Sequence, residues 1–261
     1  MDLAKKDWLG VIWSGYKGLD NIKYAQKLNP NLYDVFMPLG LMEYFSSISP
    51  KPIQWAASFV GIRPDKNIGI DHLKIAGEKS KYSWIEAQTI LIYSYLYFEN
   101  ELFLAREISH KMYEKFPGHP YLLYLYAESL LRTNELSQFE NLIPEIKLKP
   151  THFPGIQKNE CELKLNYLFA LYTFKISEYE TSLSYCNWII KNYNMEMDWL
   201  LGYTYLLMGK IFDLSSDREK AKIFYNKILE MDNLFIYDKW AIAYLYSPYK
   251  HPENDPLFIQ K

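Results

Sequence analysis

Residues 202–234 follow a spacing that admits few structures other than two closely packed antiparallel helices. The intervals are large-x2-large-small-x2-aromatic and then small-x3-aromatic, at Tyr205, Met208, Gly209, Phe212, Ala221 and Tyr225. We expect Gly209 and Ala221 where the two helices cross, because a larger side chain there would push the helices apart. Ser216 and Glu219 are predicted to form a capping box at the start of the second helix. The pattern therefore predicts a helical hairpin.

A related pattern recurs upstream at a fixed offset. Four positions of one predicted helix match four positions of another 34 residues later, pairing Thr89 with Leu123, Ile92 with Tyr126, Tyr93 with Ala127 and Leu96 with Leu130. A period of this length is typical of the tetratricopeptide repeat (TPR), a helix-turn-helix unit that stacks into a solenoid. The sequence therefore predicts an all-α fold, a right-handed α-solenoid of TPR-like helical hairpins.

We interpret the whole chain, residues 1–261, as a single solenoid domain. Capping boxes at Ser83 with Glu86 and at Ser177 with Glu180 are predicted to open two further helices, and residues 149–157 are predicted to be an inserted loop. The segments are irregular repeats at 1–81, regular repeats at 82–148, 158–194 and 198–234, and a C-terminal helix with a tail at 235–261.

Composition argues against nucleic acid and membrane as partners. The net charge is −2, and only four of the 29 basic residues are arginine, the side chain that best reads phosphates and base edges. Apolar runs are shorter than the roughly 18 residues that a membrane-spanning helix needs, and residues 1–6 lack the apolar core of a signal peptide. We therefore predict neither nucleic-acid binding nor a membrane span.

The sequence also lacks the motifs of common enzymes. It contains no Gly-rich phosphate loop, no G-x-S-x-G, no H-E-x-x-H and no C-x-x-C, and its five histidines are scattered without the spacing of metal ligands. The prediction is a protein without catalytic residues, metal or cofactor. Cys161 and Cys186 lie on adjacent predicted helices, which allows either two buried thiols or a disulfide.

Tyrosine is the residue type that indicates a binding surface, since the chain has 24 of them. In a TPR solenoid the first helix of each hairpin lines a concave groove, and tyrosine offers a large contact area at low entropic cost. We name the following predicted lining residues the groove residues: Tyr97, Tyr121, Tyr124, Glu128, Tyr167, Leu171, Phe174, Tyr203 and Lys210. The alternative is that about half of the tyrosines pack between repeats or under the tail.

Two functions fit such a groove. The first is a non-enzymatic scaffold or adaptor that binds an apolar helix or peptide of a protein partner. The alternative is a small-molecule or glycan-binding protein of the cell envelope that uses the tyrosines as stacking platforms. The Lys/Asn pattern with which some TPR domains clamp a terminal carboxylate is missing, because Ile90, Ser94, Tyr124 and Glu128 hold those positions.

The N-terminal helix and the C-terminal tail are two candidates for self-association. The helix predicted from Trp8 to Leu28 has no preceding partner, so its apolar stripe marks an interface or a missing segment. Near the other end, Pro256-Leu257-Phe258-Ile259 is an apolar plug after a polar spacer, able to fold into the groove or onto a neighbouring copy. If it fills the groove, deleting residues 255–261 should increase the binding of a hydrophobic dye.

The order of these segments resembles a group of exported or cell-envelope bacterial TPR proteins of uncharacterised function, with a weaker likeness to eukaryotic inclusion-body-clearance TPR proteins. The likeness covers almost the whole chain and lies in residues 6–9, 28–35, 39–44, 65–70, 81–87, 209–213, 217–221 and 247–249. The resemblance implies a non-enzymatic role, and an exported or periplasmic location if a signal peptide has been removed. Without such a peptide the expected location is the cytoplasm.

Overall fold

The computed structural model describes residues 8–195, 198–231 and 233–258, with side chains from residue 18 onward. Over these residues it is all-helical, with thirteen α-helices and no strand, which confirms the predicted all-α class. The chain divides into two compact units, residues 1–94 and 95–261, and this boundary falls inside the predicted repeat at 82–148.

The first unit contains five helices, and the second contains eight. The first five are α1 (Trp8–Leu28), α2 (Phe36–Ile48), α3 (Lys51–Phe59), α4 (Lys66–Lys79) and α5 (Trp84–Tyr93). A π-helical turn, Ser94–Glu99, follows α5. The other eight are α6 (Leu102–Lys115), α7 (Pro120–Arg132), α8 (Leu136–Leu148), α9 (Gly155–Lys175), α10 (Tyr179–Asn192), α11 (Trp199–Leu214), α12 (Arg218–Glu230) and α13 (Tyr237–Tyr246). Short 3-10 turns occupy Tyr33–Val35, Lys149–His152 and Pro252–Asn254.

In the first unit, two glycines let α2 and α4 cross closely. A Cβ added at Gly40 would lie 2.7 Å from the carbonyl oxygen of Gly69, and one added at Gly69 would lie 2.5 Å from the backbone nitrogen of Tyr44. The later part of α1 packs through Leu19 against a cluster that includes Leu39. The apolar stripe predicted on α1 is therefore partly covered, while its members Trp8 to Tyr16 lie outside the described side chains.

The start of α5 is held by a residue far away in sequence. The Asp34 carboxylate accepts hydrogen bonds from the backbone N–H groups of Tyr82 and Ser83 at 2.8 Å and of Lys81 at 3.2 Å. Burial opposes the effect, but these donors hold the pKa of Asp34 below its ordinary value. The capping box predicted at Ser83 is wrong, because the Ser83 side chain makes no capping hydrogen bond.

In the second unit, four hairpin turns share one geometry. Asn100, Asn134, Ser177 and Ser216 all have φ between 59° and 65°, and each is followed by one acidic residue that directly precedes the next helix. This left-handed position ends the preceding helix, as in the Schellman motif. The capping boxes predicted at Ser177 and Ser216 are therefore wrong. At the Ser216 turn the next residue, Asp217, caps α12 instead.

The first helices of successive hairpins also contact one another. Helix α9 touches both α7 and α11, and α11 touches α13, in addition to the contacts between consecutive helices. Helices α7, α9 and α11 are consequently buried over most of their circumference. Gly209 lies against the Tyr225 ring as predicted for the crossing of α11 and α12. The loop predicted at 149–157 is wrong in part, because α9 already begins at Gly155.

Candidate functional site

Three of the groove tyrosines form an aromatic cluster in the interior of the second unit. Tyr97, Tyr167 and Tyr203 are at most 1% exposed. The ring centres of Tyr97 and Trp199 lie 4.6 Å apart, those of Tyr97 and Tyr203 5.8 Å, and those of Tyr167 and Trp199 5.6 Å. Since Tyr97 precedes α6 and Tyr203 lies on α11, helices distant in sequence meet here. The π-helical turn, α9 and α11 therefore pack on one another through these tyrosine side chains.

Glu128, on α7, is the acidic centre of a buried hydrogen-bond network beside this cluster. Its carboxylate accepts hydrogen bonds from the hydroxyls of Tyr97 at 2.6 Å and Tyr167 at 3.1 Å. Arg132, one helical turn further along α7, donates to it at 3.4 Å. Burial raises the pKa of Glu128 despite the opposing effect of these three partners. The network fixes the orientation of two tyrosine rings.

Arg132 extends the network toward the end of the chain. Its fully buried guanidinium donates to the backbone carbonyl of Leu96 at 2.8 Å, to the Asn100 side chain at 3.2 Å and to the carbonyl of Leu257 at 3.3 Å. Its Cζ atom lies 5.3 Å from the ring centre of Tyr203, within the range of a cation–π interaction. One arginine thus joins the hairpins to the C-terminal tail.

Lys210, on α11, is the second buried cation of the site. It is 0% exposed, and its Nζ atom donates to the Asp255 carboxylate at 2.6 Å. Burial lowers the pKa of Lys210, and the attraction of Asp255 opposes that effect. Four aromatic rings surround the ammonium with their centres 5.2 to 6.0 Å away: Phe174, Trp240, Tyr244 and Tyr249. The lysine is therefore enclosed by π faces and a single carboxylate.

The tail segment, which we define as residues 255–258, lies against the groove residues. The Asp255 carboxylate also accepts hydrogen bonds from the Tyr249 hydroxyl and the Leu257 N–H, both at 2.9 Å. Asn100 donates to the Pro256 carbonyl at 3.0 Å. The tail segment thus packs against Lys210 and Phe174, two residues that the sequence assigned to the groove, while Ile259 lies outside the described residues.

The two apolar residues of the tail segment are almost completely covered. Leu257 is 0% exposed and Phe258 3% exposed. The Phe258 ring stacks on Phe174 with 6.1 Å between centres and 13° between planes, and the Nζ atom of Lys175 lies 4.6 Å from its centre. Since Phe174 also faces Lys210, the apolar and charged contacts of the tail segment meet on one ring.

A half-open pocket of about 370 Å³ lies between the start of α7 and the start of α9. Tyr121, Tyr124 and Phe153 form its aromatic walls. Lys164 is paired with Glu160 at 2.7 Å, and its Nζ atom lies 4.5 Å above the ring centre of Tyr121. The pocket therefore combines aromatic surface with an ion pair whose lysine is nearly buried.

Both cysteines are buried free thiols. Cys161 lies beside the Tyr124 hydroxyl at the same pocket, and burial raises the pKa of its thiol. Burial raises the pKa of Cys186 to about 12. A raised pKa keeps a thiol protonated and poorly nucleophilic at neutral pH. Of the two alternatives left by the sequence, the structure shows the thiols.

Eight of the nine predicted groove residues are buried, and Tyr121 is the one that stays partly exposed. The structure brings Tyr97, Glu128, Tyr167 and Tyr203 together, whereas Tyr121 and Tyr124 line the separate pocket. Leu171 is buried, Phe174 stacks on Phe258 of the tail segment, and Lys210 binds Asp255 of the same segment. Sequence reasoning missed Arg132, although its position four residues after Glu128 signals a helical ion pair.

The described residues contain no group of three or more His, Cys, Asp or Glu side chains placed to hold a metal ion. Within the same residues, no helix is long and apolar enough to cross a membrane. No protein-family model, curated protein or solved structure matches the chain.

Proposed function

We propose that the second unit is a non-enzymatic peptide-binding scaffold, and that its tail segment occupies the position of a bound peptide. The observation that carries the proposal is the buried contact of Asp255 with Lys210, combined with the hydrogen bond from Arg132 to the Leu257 carbonyl. Side chains from different hairpins hold one short segment by its charge and its backbone. This is how protein grooves recognise extended peptides.

We further propose that the hairpins are TPR-like repeats stacked as a right-handed α-solenoid. Two observations support this. The left-handed turn residues Asn100 and Asn134 are 34 residues apart, the period of the repeat. Helices α7, α9 and α11 contact one another in sequence order, as the first helices of stacked hairpins do.

The tail segment belongs to none of the helical hairpins, which makes it displaceable. Residues 255–258 follow α13 and a short 3-10 turn, so they can leave without removing any helix of the hairpins. What they leave behind is an aromatic surface with two cations, Arg132 and Lys210, and one anion, Glu128. A partner's peptide that supplies a carboxylate and apolar side chains matches this surface.

Peptide binding in trans tests the proposal. The probe is a fluorescein-labelled peptide with the sequence of residues 250–261, and the protein is the full-length chain carrying Asp255→Asn and Phe258→Ala, which we call the tail-weakened chain. We expect the fluorescence anisotropy to rise to saturation as the protein is added. The tail-weakened chain should bind the peptide with a Kd at least tenfold lower than that of the unmodified chain, because the unmodified chain fills its own groove. A tail-weakened chain with unchanged circular dichroism and no peptide binding would refute the proposal.

A second candidate function is the binding of a small molecule or glycan at the Tyr121 pocket. Its volume of about 370 Å³ and its tyrosine and phenylalanine walls favour a planar or sugar ring. Thermal-shift measurements with a panel of monosaccharides and small aromatic acids test it, using Tyr121→Ala as the loss-of-site variant. Tyr82→Ala, at an exposed tyrosine of the first unit, is the matched control. A shift that survives Tyr121→Ala would remove this candidate.

A further inference from the structure

Two carboxylates lie in or just before the tail segment, and a buried cation binds one of them. Asp255 is 1% exposed and ion-paired, whereas Glu253, two residues earlier, has a side chain that is 66% exposed. The two carboxylates therefore differ sharply in environment although they are close in sequence. Of these two carboxylates, Asp255 is the one that binds Lys210, a groove residue on α11.

The backbone after this aspartate is held without regard to side-chain identity. Asn100 binds the carbonyl of Pro256 and Arg132 binds the carbonyl of Leu257. Pro256 itself is only partly buried. The residue directly after the acidic one is therefore fixed by its carbonyl, and its side chain is the least restricted of the segment.

The next two positions are restricted by shape. Leu257 is fully enclosed, so a longer side chain meets the packed interior and a shorter one leaves a void. Phe258 stacks on Phe174 beneath the Lys175 ammonium, which favours an aromatic ring over an aliphatic side chain. The order of requirements is thus acidic, unrestricted, leucine-sized, aromatic.

Buried charge distinguishes this segment from a simple apolar plug. A hydrophobic filling would avoid the desolvation of Lys210 and Asp255, and buried ion pairs are retained in some proteins because they confer specificity. Resting on the proposed peptide-binding function, we propose that the groove selects partner peptides of the pattern acidic-x-leucine-aromatic, and that Lys210 is the residue that selects the acidic position.

Matched peptides test this selection on the tail-weakened chain. The reference is the fluorescein-labelled peptide with the sequence of residues 250–261, and each variant peptide carries one change. The peptide with Asp255→Asn should bind at least tenfold more weakly, and the one with Phe258→Ala at least fivefold more weakly. The peptide with Glu253→Gln has the same loss of charge at an exposed position and should change the affinity less than twofold.

Adding Lys210→Met to the tail-weakened chain should abolish the discrimination between aspartate and asparagine, while Lys222→Met, at a partly exposed lysine of α12, should preserve it. Equal affinity for the Asp255→Asn and Glu253→Gln peptides would overturn the inference and leave the proposed function standing. Discrimination that persists with Lys210→Met would refute the role of Lys210. Failure of the reference peptide to bind the folded tail-weakened chain would refute the proposed function itself.

Discussion

Replacing Asp255 with asparagine isolates the contribution of the ion pair to tail docking. The substitution keeps the size of the side chain and an oxygen that can accept from Tyr249 or Leu257, but it removes the charge that faces Lys210 at 2.6 Å. Breaking a buried ion pair by removing one partner typically costs about 3–5 kcal/mol.

The chemistry of lysine sets an upper limit to this cost. Lys210 can lose its proton rather than remain charged without a partner. For an ordinary lysine pKa of about 10.4, deprotonation at pH 7 costs about 4.6 kcal/mol. The tail segment can also detach and expose Lys210 to water, so the observed loss cannot exceed the free energy of docking. We therefore expect a loss of about 3–4 kcal/mol, or full release of the tail.

The pH dependence of the variant gives a second signature. Burial places the pKa of Lys210 below its unfolded value, so the unfolded chain binds the additional proton and stability rises with pH in that window. Without Asp255 the depression should be larger, because its attraction opposed the effect of burial. The deficit of Asp255→Asn should accordingly shrink between pH 8 and 10, by at most about 1.4 kcal/mol per pH unit.

Urea unfolding followed by circular dichroism measures the global loss, and hydrogen exchange of residues 249–258 measures tail release. Glu253→Gln is the control and should change the free energy of unfolding by less than about 0.5 kcal/mol. If Asp255→Asn leaves both the unfolding free energy and the exchange of the tail unchanged, the buried pair contributes nothing and the reasoning fails.

Four further substitutions test the packing and electrostatics. Gly69→Ala should destabilise by about 1–3 kcal/mol, because its Cβ meets the backbone of Tyr44, whereas Gly18→Ala, with open space around its Cβ, should stabilise by about 0.5–1 kcal/mol. Thermal unfolding distinguishes these signs. Ser216→Gly should raise the free energy of unfolding, measured by urea denaturation, by about 1 kcal/mol, because a serine backbone is strained at φ 63°. A lower free energy of unfolding would contradict this. Glu128 has a raised folded-state pKa, so its stabilising contribution is present at low pH and is lost as pH rises through that pKa. The unmodified chain should therefore gain stability relative to Glu128→Gln between pH 7 and pH 5; an opposite trend would contradict the burial argument.

Local patterns predicted local structure. The small residues Gly209 and Ala221 predict a helix crossing because the requirement is met within one hairpin. In the structure Gly209 lies against the Tyr225 ring of α12, and Ala221 is fully buried. Two of the three predicted capping boxes failed for an equally local reason. Ser177 and Ser216 occupy the left-handed turn that ends one helix, so their side chains cannot also cap the next.

The surroundings of the predicted groove residues could not be predicted from single repeats. Position within the repeat predicted that Tyr97 and Tyr203 face inward, but not that they meet each other and Trp199. That contact depends on how several hairpins turn relative to one another. Asp34, which holds the start of α5 from about 48 residues away, is a further contact for which no short motif exists.

Tethering determines how such a groove would respond to a partner. A segment joined by a short connection competes at an effective concentration in the millimolar range. If the peptide binds in trans with a Kd of about 1 μM, a tethered tail reduces its apparent affinity by about a thousandfold. The unmodified chain would then not bind peptides of low affinity or low concentration. It would bind only peptides that are held close to it or that have a higher affinity than the tail segment. A partner peptide can bind more tightly than the tail segment if it improves the positions of Pro256 and Glu253, because neither residue contributes to the buried ion pair of Asp255 with Lys210. The ratio of peptide affinities for the tail-weakened and unmodified chains measures this competition directly, and a ratio near one would show that the tail segment does not occupy the peptide's site.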